Sequence, residues 1–413
     1  MESPKVSSLN WTDDALDAMR QEMDPLADEV VRAVYEAGAV DGVNCLLMDP
    51  KRRSDPSLPV PEEVRKIVDA YMDQTDDLPA WADMKKIAMA EDLFSRHGLL
   101  ASVILCCASL PECYLDALDV PVLASTTQLK DHVAERILQT SAMVVSVMQP
   151  GGMRRGGLGV NHSQRVRLMH AAVRHLILQR GRARAAAAPT PGSPAQAAAF
   201  TPPIPARGRP INQESMAFVI LTFSYVGLRS MDRLEVAVSD EEREAYVHAW
   251  SVIGHVMGVK DEYLVHSYAE AQRVFDLIKA RRKGASPEGQ ALTKALLDWM
   301  QDEMPLLLRA LPREMMCQLM DPQDLVLLGI EPDEPSHVKE SFWHGVMDVV
   351  EAVVEGFESL PMGRRAAEAM FTRIVRRVWE SEKVWMAESF ALPPSLQESW
   401  RLPPGVTPQL PAT

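Results

Sequence analysis

The stretch Arg165–Gln179, RVRLMHAAVRHLILQ, constrains this chain more than any other. Its apolar positions Leu168, Val173, Leu176 and Ile177 recur at helical spacing and make a stripe that buries one side. Arg167 lies three residues before His170, and Arg174 lies four after it. On a helix of 3.6 residues per turn those offsets place all three side chains on one face. Two readings follow. In the first, His170 is a satisfied core histidine. In the second, two guanidinium groups and an imidazole are buried together, which is costly unless an anion or a metal answers them. A haem meets that description, since the imidazole can bind iron and the arginines can pair with the propionates. The helix alone leaves both readings open.

The rest of the chain reads as helix after helix. Thr12 or Asp13 caps an amphipathic segment through Val34 that Pro25 bends or splits. Helices are expected over 62–75 and 79–97, the second ending at Gly98. A small apolar helix follows over 99–110, and another runs over 127–148, stopped by Gln149-Pro150-Gly151-Gly152. On that last helix Arg136 and Thr140 share a face. Residues 151–162, GGMRRGGLGVNH, read as a glycine-rich loop leading to Ser163 as the cap of the His170 helix. The loop has neither the lysine of a phosphate-binding loop nor a preceding strand, so it is no nucleotide cradle. Beyond it come helices over 212–228, 239–258, 286–302, 304–320, 339–358 and 364–386. Ser239 caps the second of these, with acids in its first turn.

No alternation of β-branched residues bounded by hairpin turns occurs, so the fold class is all-α. The organisation expected is an N-terminal helical segment over 1–78 that packs on one large helical domain over 79–386. An Ala/Pro-rich flexible loop interrupts the domain at 183–210, and a Pro-rich tail follows over 387–413.

Composition excludes more than it identifies. A net charge of −14 argues against general nucleic-acid binding. No apolar run reaches transmembrane length; the nearest, 216–228, is short and carries polar residues. The first residues show no basic region followed by an apolar one, and the five cysteines are odd in number, so a cytoplasmic protein with reduced thiols is expected. The other histidines read as packing or surface residues: His175 points off the His170 face, and His248 and His255 lie seven apart. His162, beside the key helix, is the alternative ligand.

Three segments together carry a resemblance. They are Glu135-Arg136-x-x-x-Thr140; Val166-Arg167-Leu168-Met169-His170-Ala171-Ala172-Val173-Arg174; and Pro210-Ile211-Asn212-Gln213-Glu214 with the helix that follows, then His248 to Gly254 and Met257-Gly258-Val259. Their order and spacing, over roughly residues 80–320, resemble the rubber oxygenase (latex-clearing protein) family. That family includes the fungal oxygenase that cleaves the prenyl side chain of a mycophenolic acid precursor. The resemblance implies a single large helical domain with a globin-like core and one haem b. His170 would be the axial iron ligand, with Arg167, Arg174 and Arg136 around the cofactor and Arg136 and Thr140 lining the pocket. O2 would be co-substrate for oxidative cleavage of carbon–carbon double bonds in isoprenoid chains. Gln139 stands where rubber oxygenases have a lysine. Asp116 and Asp119 are the carboxylates nearest their proposed catalytic base, and Asp119 is the candidate. The expected substrate is a small hydrophobic or isoprenoid molecule. A haem protein without cleavage activity, and a helical interaction protein with a structural His170, are the competing readings.

Overall fold

The computed structural model describes residues 9–39, 60–126, 133–186 and 208–331, apart from residues 305, 307 and 308. Among these residues the chain is helical, and the single β-type contact is an isolated bridge between Asp116 and Lys283. The Ala/Pro-rich loop from 187 on, the helices expected over 339–358 and 364–386, and the tail lie outside the described residues.

The helices begin where the chain offers a cap. Thr12 starts α1 (Asp13–Met19), and Pro25 does split the first amphipathic segment: Asp24 caps α2 (Pro25–Glu36) with the proline inside its first turn. α3 (Glu62–Gln74) opens on two acids. α4 (Met84–Ile104) joins two expected helices across a kink at His97 and runs into a π-turn at Leu105–Ser109 and the short α5 (Leu110–Tyr114). α6 (Val120–Thr126) and α7 (Val133–Met148) precede the key helix, α8 (Leu158–Ala186). α9 (Gln213–Arg233), α10 (Asp240–Val256), α11 (Tyr268–Arg282), α12 (Pro287–Glu303), α13 (Leu311–Leu319) and α14 (Pro322–Leu327) complete the order. Ser239 and Glu242 close a reciprocal capping box on α10.

α8 starts five residues before its expected cap. Ser163 lies inside it and bonds back to the Gly159 carbonyl at 2.8 Å. The glycines before it are there for close packing, not for slack. A Cβ on Gly159 would fall 2.7 Å from the Ser146 carbonyl oxygen, and one on Gly157 would fall 2.4 Å from that of Gly152. α7 and α8 therefore approach backbone to backbone where they turn about Gly151 and Gly152. Likewise α9 passes straight through Gly227 to Arg233.

The main core is buried between α4, α9, α10 and α11, with α12 and α13 closing one side. Trp250 stacks on Phe223 at 4.9 Å and Phe218 on Phe275 at 5.3 Å, so large rings lock α9 to α10 and α11. A second, smaller core joins α2 and α3 to α8 through Val30, Val34, Val68 and Tyr71 against Leu168, Ala171 and Ala172. This places the N-terminal helices on the face of α8 next to His170.

Candidate functional site

α8 carries its histidine between the N-terminal helices and α7. Arg167 donates from Nε and Nη2 to the two carboxylate oxygens of Asp24, at 2.6 and 2.8 Å, and from Nη1 to the Val256 carbonyl. Arg174 donates from Nε to Asp28 at 2.7 Å and from Nη1 to the Ile211 carbonyl at 3.3 Å. Asp24 and Asp28 lie at the start of α2, one turn apart, and answer arginines two turns apart on α8. The two arginines that flank His170 are thus engaged by two aspartates about 140 residues away in sequence. Arg174 keeps one donor, Nη2, buried and without a hydrogen-bond partner among the described residues.

His170 itself is surrounded by protein, and its Nδ1 is buried without a hydrogen-bond partner among the described residues. Burial, then the guanidiniums of Arg174 and Arg136, hold the imidazole far below its usual range, at about 3; the Asp24 carboxylate pulls weakly the other way. The ring is neutral at any ordinary pH. It nevertheless keeps some accessible surface, as do Arg136, Gln139 and Thr140 on α7. These side chains are therefore not sealed off completely by their neighbours. Arg136 is also desolvated and lies near Tyr114 and Cys113 of α5. The Thr140 hydroxyl donates to the Arg136 carbonyl at 3.0 Å, the usual backbone contact of a helical threonine.

A neutral imidazole with an unsatisfied ring nitrogen and guanidinium groups nearby is a set that fits a haem. The imidazole can take iron and the cations can answer propionates. Among the described residues no group of three or more His, Cys, Asp or Glu could hold a bare metal ion.

Asp119 is held by other side chains. It accepts from Arg282 Nη2 at 2.5 Å and from the Ser215 hydroxyl at the head of α9. Arg282 is almost fully buried and also donates to Asp116 at 2.9 Å and Glu214 at 2.6 Å. Glu214 in turn accepts from Arg20 at 2.6 Å. Asp119 is therefore one of three carboxylates neutralising a buried guanidinium, not an uncommitted base. Desolvation raises Asp116 to about 6 against the pull of Arg282. Glu112, wholly buried between Arg229 and Lys279, belongs to a second such cluster.

Four other described histidines have the following surroundings. His175 lies against the Tyr35 ring, and His248 Nε2 accepts from the Asp83 amide at 2.8 Å. His255 pairs with Asp261 at 2.5 Å. His162 is fully buried, and burial with the nearby Arg165 charge holds it neutral, at about 3. Sequence reasoning missed Asp24 and Asp28, which lie far from their arginines in the chain. It named Glu214 only as part of a family segment and missed its partner Arg282, which lies 68 residues on.

Residues 95–410 match the family described as ER-bound oxygenase mpaB/B'/rubber oxygenase, catalytic domain. The chain belongs to this family. A rubber oxygenase of Streptomyces sp. (strain K30) is 27% identical over 286 residues, covering 66% of this chain and 62% of that protein. The chain thus matches less than two thirds of that relative's length. The structure of latex clearing protein LCP in the closed state superposes with a TM-score of 0.66 at 22% identity, covering 92% of this chain and 95% of that one. At that identity the likeness establishes the shared all-α fold. Membership of an oxygenase family agrees with a site built on a desolvated, neutral histidine. No single helix among the described residues is long and apolar enough to cross a membrane.

Proposed function

We propose that this chain is a haem b-dependent dioxygenase that cleaves carbon–carbon double bonds of a small hydrophobic, isoprenoid-type substrate, with O2 as co-substrate. The observation that carries the reading is His170: a desolvated, neutral imidazole whose Nδ1 has no hydrogen-bond partner among the described residues. In this reading His170 holds the iron, and Arg174, through its spare Nη2, and Arg136 answer the propionates. When bound, the haem supplies one-electron and O2 chemistry.

The chain's own residues supply the surroundings. The pairs Arg167–Asp24 and Arg174–Asp28 fix α8 against α2, so the imidazole does not drift. They also balance most of the charge of Arg167 and Arg174. The Arg136 guanidinium, desolvated, is positioned to stabilise negative charge that develops on oxygen. Thr140, one turn on, has a hydroxyl oxygen that can still accept a hydrogen bond while its proton is given to the Arg136 carbonyl. Asp119 takes no part in this scheme, because Arg282 and Ser215 occupy it. The apolar cores of α4, α9 and α10 exclude water and suit an apolar substrate.

The test is the visible absorption spectrum of the purified chain beside His170→Ala. A Soret band that is lost in the variant, with circular dichroism unchanged, supports the reading. No band after haem is added back overturns it. Oxygen consumption with isoprenoid alkenes then separates a cleaving enzyme from a haem protein without that activity.

A further inference from the structure

α5 and the turn after it are pinned from several sides. Glu112, wholly buried, accepts from Arg229 Nη2 at 2.7 Å and from Lys279 Nζ at 2.9 Å. The Cys113 thiol meets the Thr222 hydroxyl of α9 at 3.3 Å. Asp116 accepts from Arg282 Nε at 2.9 Å, and the backbone on either side of it pairs with that of Arg282 and Gly284. Gly289 lets the first turn of α12 close on Tyr114: a Cβ there would fall 2.4 Å from the Tyr114 carbonyl oxygen.

One polar side chain of this stretch is left out. Tyr114 is 8% exposed, and its hydroxyl has no hydrogen-bond partner among the described residues. A buried phenol normally finds one, because a hydroxyl stripped of water and left unpaired is destabilising. A backbone held this firmly, presenting a donor that the fold does not answer, is what a preorganised site requires.

The phenol lies on the side of the candidate site. Glu112 and Asp116, one helical turn apart, reach cations of α9 and α11. Tyr114 falls midway between them in the chain and so on the other side of the helix. The charge that acts most on it is the Arg136 guanidinium of α7, which acts on His170 as well. Cys106, inside the π-turn, is a further neighbour of Tyr114, and such turns recur at functional sites. Burial pushes the phenol well above its usual range, and Arg136 pulls it back only in part. The group keeps its proton at any ordinary pH, so it is a donor and not a base.

We propose that Tyr114 is a further residue of the His170–Arg136–Thr140 site, and that its hydroxyl donates a hydrogen bond to an oxygen atom of the reacting ligand beside the Arg136 guanidinium. This rests on the reading given under Proposed function and adds a donor to it. Thr140 gives its proton to the Arg136 carbonyl, and the Asp119 carboxylate is held by Arg282 and Ser215. Arg136 supplies fixed charge, and Tyr114 supplies a directed O–H where a double bond becomes a carbonyl. The phenol shares its proton without transferring it, so no group has to reprotonate it between turnovers.

The test uses the full chain, Tyr114→Phe beside wild type, and carbon monoxide as the probe. Each protein is loaded with haem and reduced, and the C–O stretch is read by infrared absorption; the oxygen of the probe stands for the ligand oxygen. The stretch is expected to move to higher frequency in Tyr114→Phe, because a donor to that oxygen has gone. A merely structural tyrosine would leave it in place. Without haem, Tyr114→Phe is expected to melt at or above the wild-type temperature, since the hydroxyl removed had no partner. A stretch that does not move, or a haem-free variant that melts clearly below wild type, overturns the inference and leaves the haem reading standing. A wild-type chain with no Soret band after haem is added overturns that reading and the inference with it.

Discussion

Arg167 holds both carboxylate oxygens of Asp24, at 2.6 and 2.8 Å, across the joint between α8 and α2. Gly258 closes over the pair: its φ of +94° suits only glycine, and a Cβ there would lie 2.5 Å from Asp24 Oδ2 and 2.6 Å from Arg167 Nε. Asp24 does double duty, since it also caps α2. Removing one partner of a buried pair leaves the other charge uncompensated. Asp24→Ala is therefore expected to lower stability by about 3–5 kcal/mol, measured by urea unfolding of the cofactor-free chain. Gly258→Ala is expected to destabilise as well, by strain and by parting the pair. A loss under 1 kcal/mol (roughly the worth of an exposed pair) in Asp24→Ala would show that the pair is solvated.

The Arg282 cluster makes a second prediction. Three carboxylates, Asp116, Asp119 and Glu214, converge on one guanidinium that is 1% exposed. Arg282→Met strands them all and is expected to cost at least as much as losing one buried partner, about 3–5 kcal/mol. Asp119→Asn keeps the shape and removes one charge of three. It is expected to lower the melting temperature and leave turnover per haem-loaded molecule unchanged. Loss of turnover in a well-folded Asp119→Asn protein would return Asp119 to the role of catalytic base.

Much of this fold was legible because helices announce themselves locally. The apolar spacing marked α8 and α9, and Ser239 with Glu242 marked the start of α10 three residues apart. The start of α8 was misread for a physical reason. Gly157 and Gly159 look like loop residues, but they allow α7 and α8 to approach at the Ser146 carbonyl, a contact visible only once both helices are packed. In the same way His170 and its flanking arginines were legible from one helical face. The aspartates that answer those arginines were not, since Asp24 lies 143 residues from Arg167 and Asp28 lies 146 from Arg174. Asp119 looked available because Arg282, its partner, lies 163 residues on.

Acid should loosen the cofactor-free protein. His162 and His170 are held at about 3, and His248 at about 4, against an ordinary value of 6.5. Each folded-state value lies below the unfolded one, so the unfolded chain takes up protons first as pH falls. Stability is full above about 6.5 and declines below it, by up to about 1.4 kcal/mol per pH unit for each group. Asp116 works in the opposite sense: raised to about 6 from 3.8, it adds stability as pH falls through that window. Burial also raises Asp28 and Asp276 and lowers His97, but the three strongly shifted histidines set the net slope, which is a loss. Melting temperatures are expected to fall between pH 7 and pH 5, and less steeply in His170→Gln. A flat profile would mean that these imidazoles are hydrated.

Arg174 offers the sharpest separation of a structural from a cofactor-binding role. Its Nε is taken by Asp28, a carboxylate one quarter exposed, while Nη2 is buried without a hydrogen-bond partner among the described residues. If Nη2 answers a propionate, Asp28 competes for the same guanidinium. Asp28→Asn then removes a rival charge and should slow haem transfer to an apoglobin acceptor, though it weakens the α2–α8 joint and lowers the melting temperature. Arg174→Met removes the cation and should speed that transfer by roughly tenfold, as the loss of one charge-assisted hydrogen bond implies. The two variants both destabilise the fold but shift haem transfer in opposite directions. Transfer that quickens in both would mean that Arg174 only fastens α8 to α2, and that the propionates are answered elsewhere.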